Sequence, residues 1–201
     1  MQETKYKKLL NQKNIKPITC LTAYSMPIAK IIDGIVDIIL VGDSLGNTLY
    51  GMKNTQTVTL DIMKNHGRAV TQHVNKSLTI IDLPYKSYES KKQALKNAKS
   101  ILKYTKANFI KLETDEKKID IVNYLTNKNI NVVAHIGITP QKFSDFSKIK
   151  ILGKTKNEIN NLLNLAKKLE IAGAKFIVLE CIPKKVAKKI TDALTIPTIG
   201  I

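Results

Sequence analysis

The strongest constraint on this chain is a repeated event. A short apolar, mostly β-branched run ends in a polar residue, and a segment of helical period follows before the next run. Asp37-Ile38-Ile39-Leu40-Val41-Gly42-Asp43-Ser44-Leu45-Gly46 is the clearest instance. A continuous apolar run this short reads as a strand buried on both faces, as in a parallel sheet. Asp43 then stands where the strand ends, at the rim where α/β enzymes carry their chemistry. Taken alone, Gly-Asp-Ser is also good turn composition. Recurrence along the chain decides between the two.

Strand-like runs occupy residues 17–22, 37–41, 78–81, 108–113, 131–134, 175–179 and 195–201. Between them lie helix signals. Ser25 precedes a helix starting near Met26, with Pro27 in its first turn and Gly34 after its end. Thr59 precedes one that runs to about His73. Ser90 with Gln93, and Thr155 with Glu158, have the spacing of capping boxes. Ile119, Val122 and Leu125 mark a further helix, Gly173 ends the one begun at Thr155, and Pro183 opens the last. Two longer loops are expected, one carrying Gly46 and Gly51, the other running from Thr139-Pro140 to about Lys154. Seven strands with a helix in the gaps require parallel strands and crossover connections. An open doubly wound sheet and a (β/α)₈ TIM barrel lacking its last strand both satisfy this. A complete barrel typically takes ~250 residues, and this chain has 201. No linker or low-complexity stretch divides it, so residues 1–201 are expected to form one domain.

The formal net charge is +17. Such a value raises nucleic acid or a membrane surface as partners. Nearly all of it is lysine, however, and Arg68 is the only arginine. Base readout and bidentate phosphate contacts favour arginine. The lysines are scattered over the polar faces of helices, so no nucleic-acid or membrane partner is expected. No apolar run is long enough to span a bilayer, and the lysine-rich N-terminus lacks a signal peptide's apolar core. Both features point to the cytoplasm. Cys20 and Cys181, far apart and in apolar contexts, are expected to be reduced and buried.

The residues that close the apolar runs are Asp43 and Ser44, Asp82, Lys111 and Glu113, His135, and Glu180. Lys111 and Glu113 share one face of their strand because side chains alternate, and Leu112 takes the other. In a barrel, all strand C-termini converge, so groups distant in sequence would meet. Three carboxylates with neutral oxygens suit a hard cation, and magnesium fits best because it leaves positions for water and substrate oxygens. His135 could ligate, donate to substrate or sit on the rim; donation to substrate is favoured. His66 and His73 are expected at the surface of a helix. A metal beside a lysine and a spare glutamate is equipment for enolising a 2-oxo acid.

Longer motifs narrow the reading. They are Leu21-Thr22-Ala23-Tyr24, Val41-Gly42-Asp43-Ser44-Leu45-Gly46, Asp82-Leu83-Pro84-Tyr85, Lys111-Leu112-Glu113, and His135-Ile136-Gly137-Ile138-Thr139-Pro140-Gln141. Ala172-Gly173-Ala174, Val178-Leu179-Glu180-Cys181-Ile182-Pro183 and Ile196-Pro197-Thr198-Ile199-Gly200-Ile201 complete the series. In this order the set resembles the ketopantoate hydroxymethyltransferase family, barrels of the phosphoenolpyruvate/pyruvate superfamily. The resemblance implies transfer of a hydroxymethyl group from 5,10-methylenetetrahydrofolate to 3-methyl-2-oxobutanoate, giving 2-dehydropantoate on the route to pantothenate. It implies Mg²⁺ at Asp43, Asp82 and Glu113, the oxo acid held by Asp43-Ser44, Asp82 and Lys111, and Glu180 as the base. It also implies a cytoplasmic homo-oligomer, a decamer in the family, and an eighth strand and final helices that this chain lacks. The barrel is therefore expected to be C-terminally truncated, with unpaired edges on its first and seventh strands. Ser25 replaces a family Asp, Thr114-Asp115 a Gly pair, and Ser147-Lys148-Ile149-Lys150 a glycine-rich loop that bears on folate contacts. Another magnesium-dependent aldolase or lyase of the superfamily, or a non-catalytic relic or basic binding protein, would share some of these features.

Overall fold

A computed structural model describes residues 2–145 and 149–201. Seven strands form one parallel sheet in strict sequence order: β1 (Cys20–Thr22), β2 (Ile38–Val41), β3 (Leu78–Asp82), β4 (Phe109–Glu113), β5 (Val132–Gly137), β6 (Phe176–Glu180) and β7 (Thr198–Gly200). A doubly wound sheet reverses its strand order at a switch point. This one never reverses and curls into a nearly closed barrel, so the TIM-barrel expectation holds and the open sheet is excluded. Among the described residues, β1 pairs only with β2 and β7 only with β6.

The pleat sorts each strand into two faces. Ile39, Val41, Ile81, Ile110, Leu112, Val132, Ala134, Ile136, Ile177 and Leu179 pack outward against the helices in one large core. Ile38, Leu78, Ile80, Phe109, Val133, Phe176, Val178 and Ile199 point inward and form a second apolar cluster within the barrel. The helices behind the sheet are α2 (Met26–Ile32), α4 (Leu60–Thr71), α5 (Lys91–Thr105), α6 (Ile119–Thr126), α7 (Lys156–Ile171) and α8 (Lys184–Ala193). Thr59 caps α4 by accepting from Ile62 N, and Thr155 with Glu158 makes a full capping box on α7. Each such cap contributes about 1 kcal/mol.

Two helices escape the sequence reading. The lysine-rich N-terminus forms α1 (Gln2–Gln12), which seats Tyr6 and Leu9 against the inner cluster. The Tyr6 ring meets Phe109 and Phe176 edge-on, with centroids 5.6 and 5.5 Å away, and those two rings lie 5.4 Å apart. Edge-to-face pairs add about 0.5–1.5 kcal/mol each beyond their burial. The expected loop after β2 begins with a one-turn helix, α3 (Leu45–Thr48), which contains Gly46.

Other expectations need correction. Ser25 stands at the N-cap of α2, but its hydroxyl makes no capping bond. Ser90 caps α5, whereas the Gln93 side chain accepts from Glu89 N rather than from the cap, so that box is half made. His135 lies within β5, because ladder pairing with β6 continues to Gly137↔Glu180. Both cysteines are free, yet Cys181 is exposed: β6 has ended at Glu180 and Cys181 sits in the turn beyond. His66 is half-buried, held between Tyr24 O and the Tyr50 hydroxyl at 2.6 and 2.9 Å. The substituted loop at Ser147-Lys148 lies outside the described residues. No helix among the described residues is long and apolar enough to cross a membrane.

Candidate active site

Where the inward apolar runs stop, the next inward positions are polar. Ile80 gives way to Asp82, Phe109 to Lys111 and then Glu113, Val133 to His135, and Val178 to Glu180, at steps of two residues, as the pleat dictates. Register places Asp82 opposite Lys111 and Glu113 opposite His135. Asp43 and Ser44 follow β2 on the same rim. These residues line one cavity of about 280 Å³, together with Leu21, Asn47, Thr55, Pro140 and Ile201. Every residue assigned to the site from the sequence is therefore present in one place.

Lys111 Nζ lies 2.9 Å from Asp82 Oδ2, and both side chains are buried. Burial alone would drive the lysine towards neutrality, but Asp82 and Asp43 overcome it and hold the ammonium charged, with its pKa raised. The same Asp82 oxygen accepts from the backbone N–H of Asp43 at 3.1 Å. Burial and the charge of Asp82 push the Asp43 carboxyl up to about 7. Burial pushes Glu113 up to about 8, although the Gln141 amide and Lys111 pull in the opposite direction. The Ser44 and Tyr24 hydroxyls are 2.8 Å apart.

His135 Nε2 lies 3.0 Å from Glu180 Oε2 without the alignment of a hydrogen bond, and both ring nitrogens are buried with no hydrogen-bond partner. Burial and the nearby Lys111 charge lower the imidazole pKa, against the pull of Glu180. A neutral ring at neutral pH follows. Glu180 keeps 22% of its side chain exposed, the most open carboxylate of the His135 and Lys111 pairs.

Asp82 Oδ1 is a buried carboxylate oxygen with no hydrogen-bond partner. Such an orphan costs about 1–3 kcal/mol or more unless something fills its place. Beside it, burial pushes Glu113 up, and burial with the charge of Asp82 pushes Asp43 up; a cation would favour the ionised forms of both. Yet among the described residues no group of three or more His, Cys, Asp and Glu side chains is disposed to hold a metal ion. Both Glu113 oxygens accept from the backbone N–H of Gln141, at 3.1 and 3.2 Å. A direct three-carboxylate cage is thus not formed. What fits is the usual magnesium arrangement of one or two carboxylates completed by water and substrate oxygens.

Gln141 is the residue that sequence reasoning passed over. It appeared only as the end of a motif, yet it is buried and touches both Asp43 and Glu113. The only sequence signal was an uncharged amide after Thr139-Pro140, in a segment expected to be loop.

Comparison with known proteins identifies the family. A family model described as ketopantoate hydroxymethyltransferase matches residues 3–201. The chain belongs to that family. It is 46% identical over 198 residues to the 3-methyl-2-oxobutanoate hydroxymethyltransferase of Pelagibacter ubique (strain HTCC1062), covering 97% of this chain and 76% of the relative. The enzyme of the same name from Anaplasma marginale (strain Florida) is 42% identical over 190 residues, 94% of this chain and 69% of the relative. Among solved structures, a putative phosphonomutase from Burkholderia cenocepacia J2315 superposes with a TM-score of 0.73 at 12% identity, over 100% of this chain and 83% of that one. A phosphonopyruvate hydrolase crystallised with oxalate and Mg²⁺ gives 0.66 at 13% identity, over 98% and 80%. At such identities the structural matches establish the barrel alone.

Proposed function

We propose that this protein is a hydroxymethyltransferase of pantothenate biosynthesis that acts on 3-methyl-2-oxobutanoate and forms 2-dehydropantoate. Its one-carbon donor is 5,10-methylenetetrahydrofolate, and its place of action is the cytoplasm. The observation that carries the reading is the meeting of the Lys111–Asp82 pair, Asp43 and Glu180 in one cavity at the strand ends.

Asp43 and Asp82 would hold Mg²⁺, with Glu113 acting through water. When bound, the ion would polarise the C2 carbonyl of the oxo acid. Ser44 and Lys111 would bind and orient the oxo acid, and the Lys111 ammonium would offset charge developing on the C2 oxygen. Glu180 would take the C3 proton, leaving the electron pair to spread onto that oxygen before C3 bonds to the donor's one-carbon unit; that carbon's bonds to the folate nitrogens break, water supplies the hydroxyl oxygen, and tetrahydrofolate leaves. A base held in position is typically worth ~10²–10⁴-fold. Neutral His135, whose buried ring nitrogens have no hydrogen-bond partner among the described residues, would donate to the oxo acid without adding a second positive charge. The outward Ile28, Ile31 and Ile35 in and after α2 offer an apolar face for the self-association that the family resemblance implies.

The test has two arms. Purified protein with the oxo acid, methylenetetrahydrofolate and magnesium should yield 2-dehydropantoate. Without folate, it should exchange the C3 proton of 3-methyl-2-oxobutanoate with solvent deuterium, followed by NMR. Exchange without product would leave an enolising enzyme with another acceptor. Absence of both would remove the assignment.

A further inference from the structure

We infer that Gln141 is a positioning residue for the carboxylates of this site: it fixes Asp43 and Glu113 in one arrangement and so sets the affinity for a divalent cation without ligating it. The inference rests on the proposed metal-assisted reaction. Gln141 is 2% exposed and follows β5 in a short 3₁₀ turn, Pro140–Lys142. Its Nε2 donates to Asp43 Oδ2 at 2.6 Å and to Leu83 O at 3.0 Å. Its Oε1 accepts from the Tyr88 hydroxyl. Its backbone N–H spans both oxygens of Glu113, and its own carbonyl accepts from Gln56 Nε2 at 2.9 Å. Each polar group of the residue therefore has a partner.

The chemistry of those partners dictates which end of the amide faces which. A carboxylate and a carbonyl can only accept, so they require the NH₂. The phenol on the other side must then donate. The network has one polarity, and it delivers donors, not acceptors, to the carboxylates. Glutamate in this position would set like charge against Asp43, and an apolar side chain would leave Asp43 Oδ2 without its hydrogen bond. One side chain thus ties the end of β2 to the end of β3, while its backbone holds the end of β4. Outer partners of metal-binding carboxylates act in this way, and their loss typically costs ~10–100-fold in metal affinity or activity.

The test measures cation binding directly, with Mg²⁺ by titration calorimetry and Mn²⁺ by electron paramagnetic resonance, on the full chain. Gln141→Met keeps volume and unbranched shape but removes both amide functions. It should bind either ion ~10–100-fold more weakly. Tyr88→Phe removes no bond to either carboxylate group; it frees the far end of the amide and the phenol's contact with the Glu113 backbone. It should shift affinity in the same direction by a few-fold, and it carries the test should Gln141→Met fail to fold. Folded variants whose dissociation constants for both ions stay within twofold of the parent would overturn the positioning role while leaving the proposed reaction standing. Failure of the parent itself to bind either ion would overturn this inference and the metal assignment together. Proton exchange at C3 by the parent would then show whether the enolising activity survives.

Discussion

Gly137 offers a test of how tightly the backbone around Glu180 is built. It ends β5 with φ +96°, and a Cβ placed there would lie 2.2 Å from the carbonyl oxygen of Glu180. That oxygen cannot swing aside freely, because it accepts from Ile138 N at 3.0 Å. Gly137→Ala therefore incurs two costs. The unfavourable backbone region costs about 1–3 kcal/mol. Forcing β6 away from β5 adds roughly 1–3 kcal/mol by analogy with overpacked cores. The sum is about 2–6 kcal/mol, and a chain of this size loses roughly 2–4 °C per kcal/mol.

Gly51 provides the control. Its φ is +64°, but nothing lies within 4 Å of its would-be Cβ. Gly51→Ala should therefore show only the conformational part, ~1–2 kcal/mol. Urea midpoints and thermal scans of the two variants isolate the clash. The clash also falls on the segment that presents Glu180. Folded Gly137→Ala should thus lose turnover beyond its loss of stability, and Gly51→Ala should not. Equal destabilisation of the two variants, within about 0.5 kcal/mol, the usual scatter for surface substitutions, would refute the close approach of β5 and β6 described here.

Glu180→Gln keeps the shape and removes the basicity, so turnover and C3 proton exchange should fall ~10²–10⁴-fold while oxo-acid binding by calorimetry stays near the parent value; surviving exchange would sink the assignment. Asp82→Asn should weaken cation and oxo-acid binding together, since the residue would serve both, and titration showing both unchanged would misplace the site. Asp33 is pushed up by burial, but its carboxylate accepts from the backbone N–H groups of Asn75, Lys76 and Ser77, which outweigh burial and lower its pKa. A depressed folded pKa contributes stability above the unfolded value of about 3.9 that is lost as pH falls through the folded one; the urea midpoint of Asp33→Asn should lie below the parent's at pH 6 and converge with it in acid.

The fold was legible wherever period-2 burial wrote itself as an apolar run. All seven strands were found, with ends displaced by a few residues. β1 and β7, each three residues long, shrank most, because each has a ladder partner on one side only. α1 was missed because only Tyr6 and Leu9 stand out from its lysines as contacts with the inner cluster, too few for a visible helical stripe. The exposure of Cys181 was missed for a related reason: one residue past the end of a strand, the alternation that predicts burial no longer applies.

The site was legible to the same depth, and for the same reason. Asp82, Lys111, Glu113, His135 and Glu180 are the continuation of inward positions whose earlier members are apolar, so pattern alone points them into the barrel. Gln141 belongs to no such series. It reaches Asp43 across 98 residues of sequence, and its role exists only in the contact. The apolar floor and the polar layer above it are also one device. A slip of one residue in any strand would turn its whole inward set to the opposite face. Phe109 stands two positions before Lys111, and Phe176 four before Glu180. Locked edge-to-face with each other and with Tyr6 of α1, the two rings pin β4 and β6 in the register that places the lysine opposite Asp82 and the glutamate beside His135. On this reading, the aromatic contacts at the bottom of the barrel help to hold the chemistry at its top.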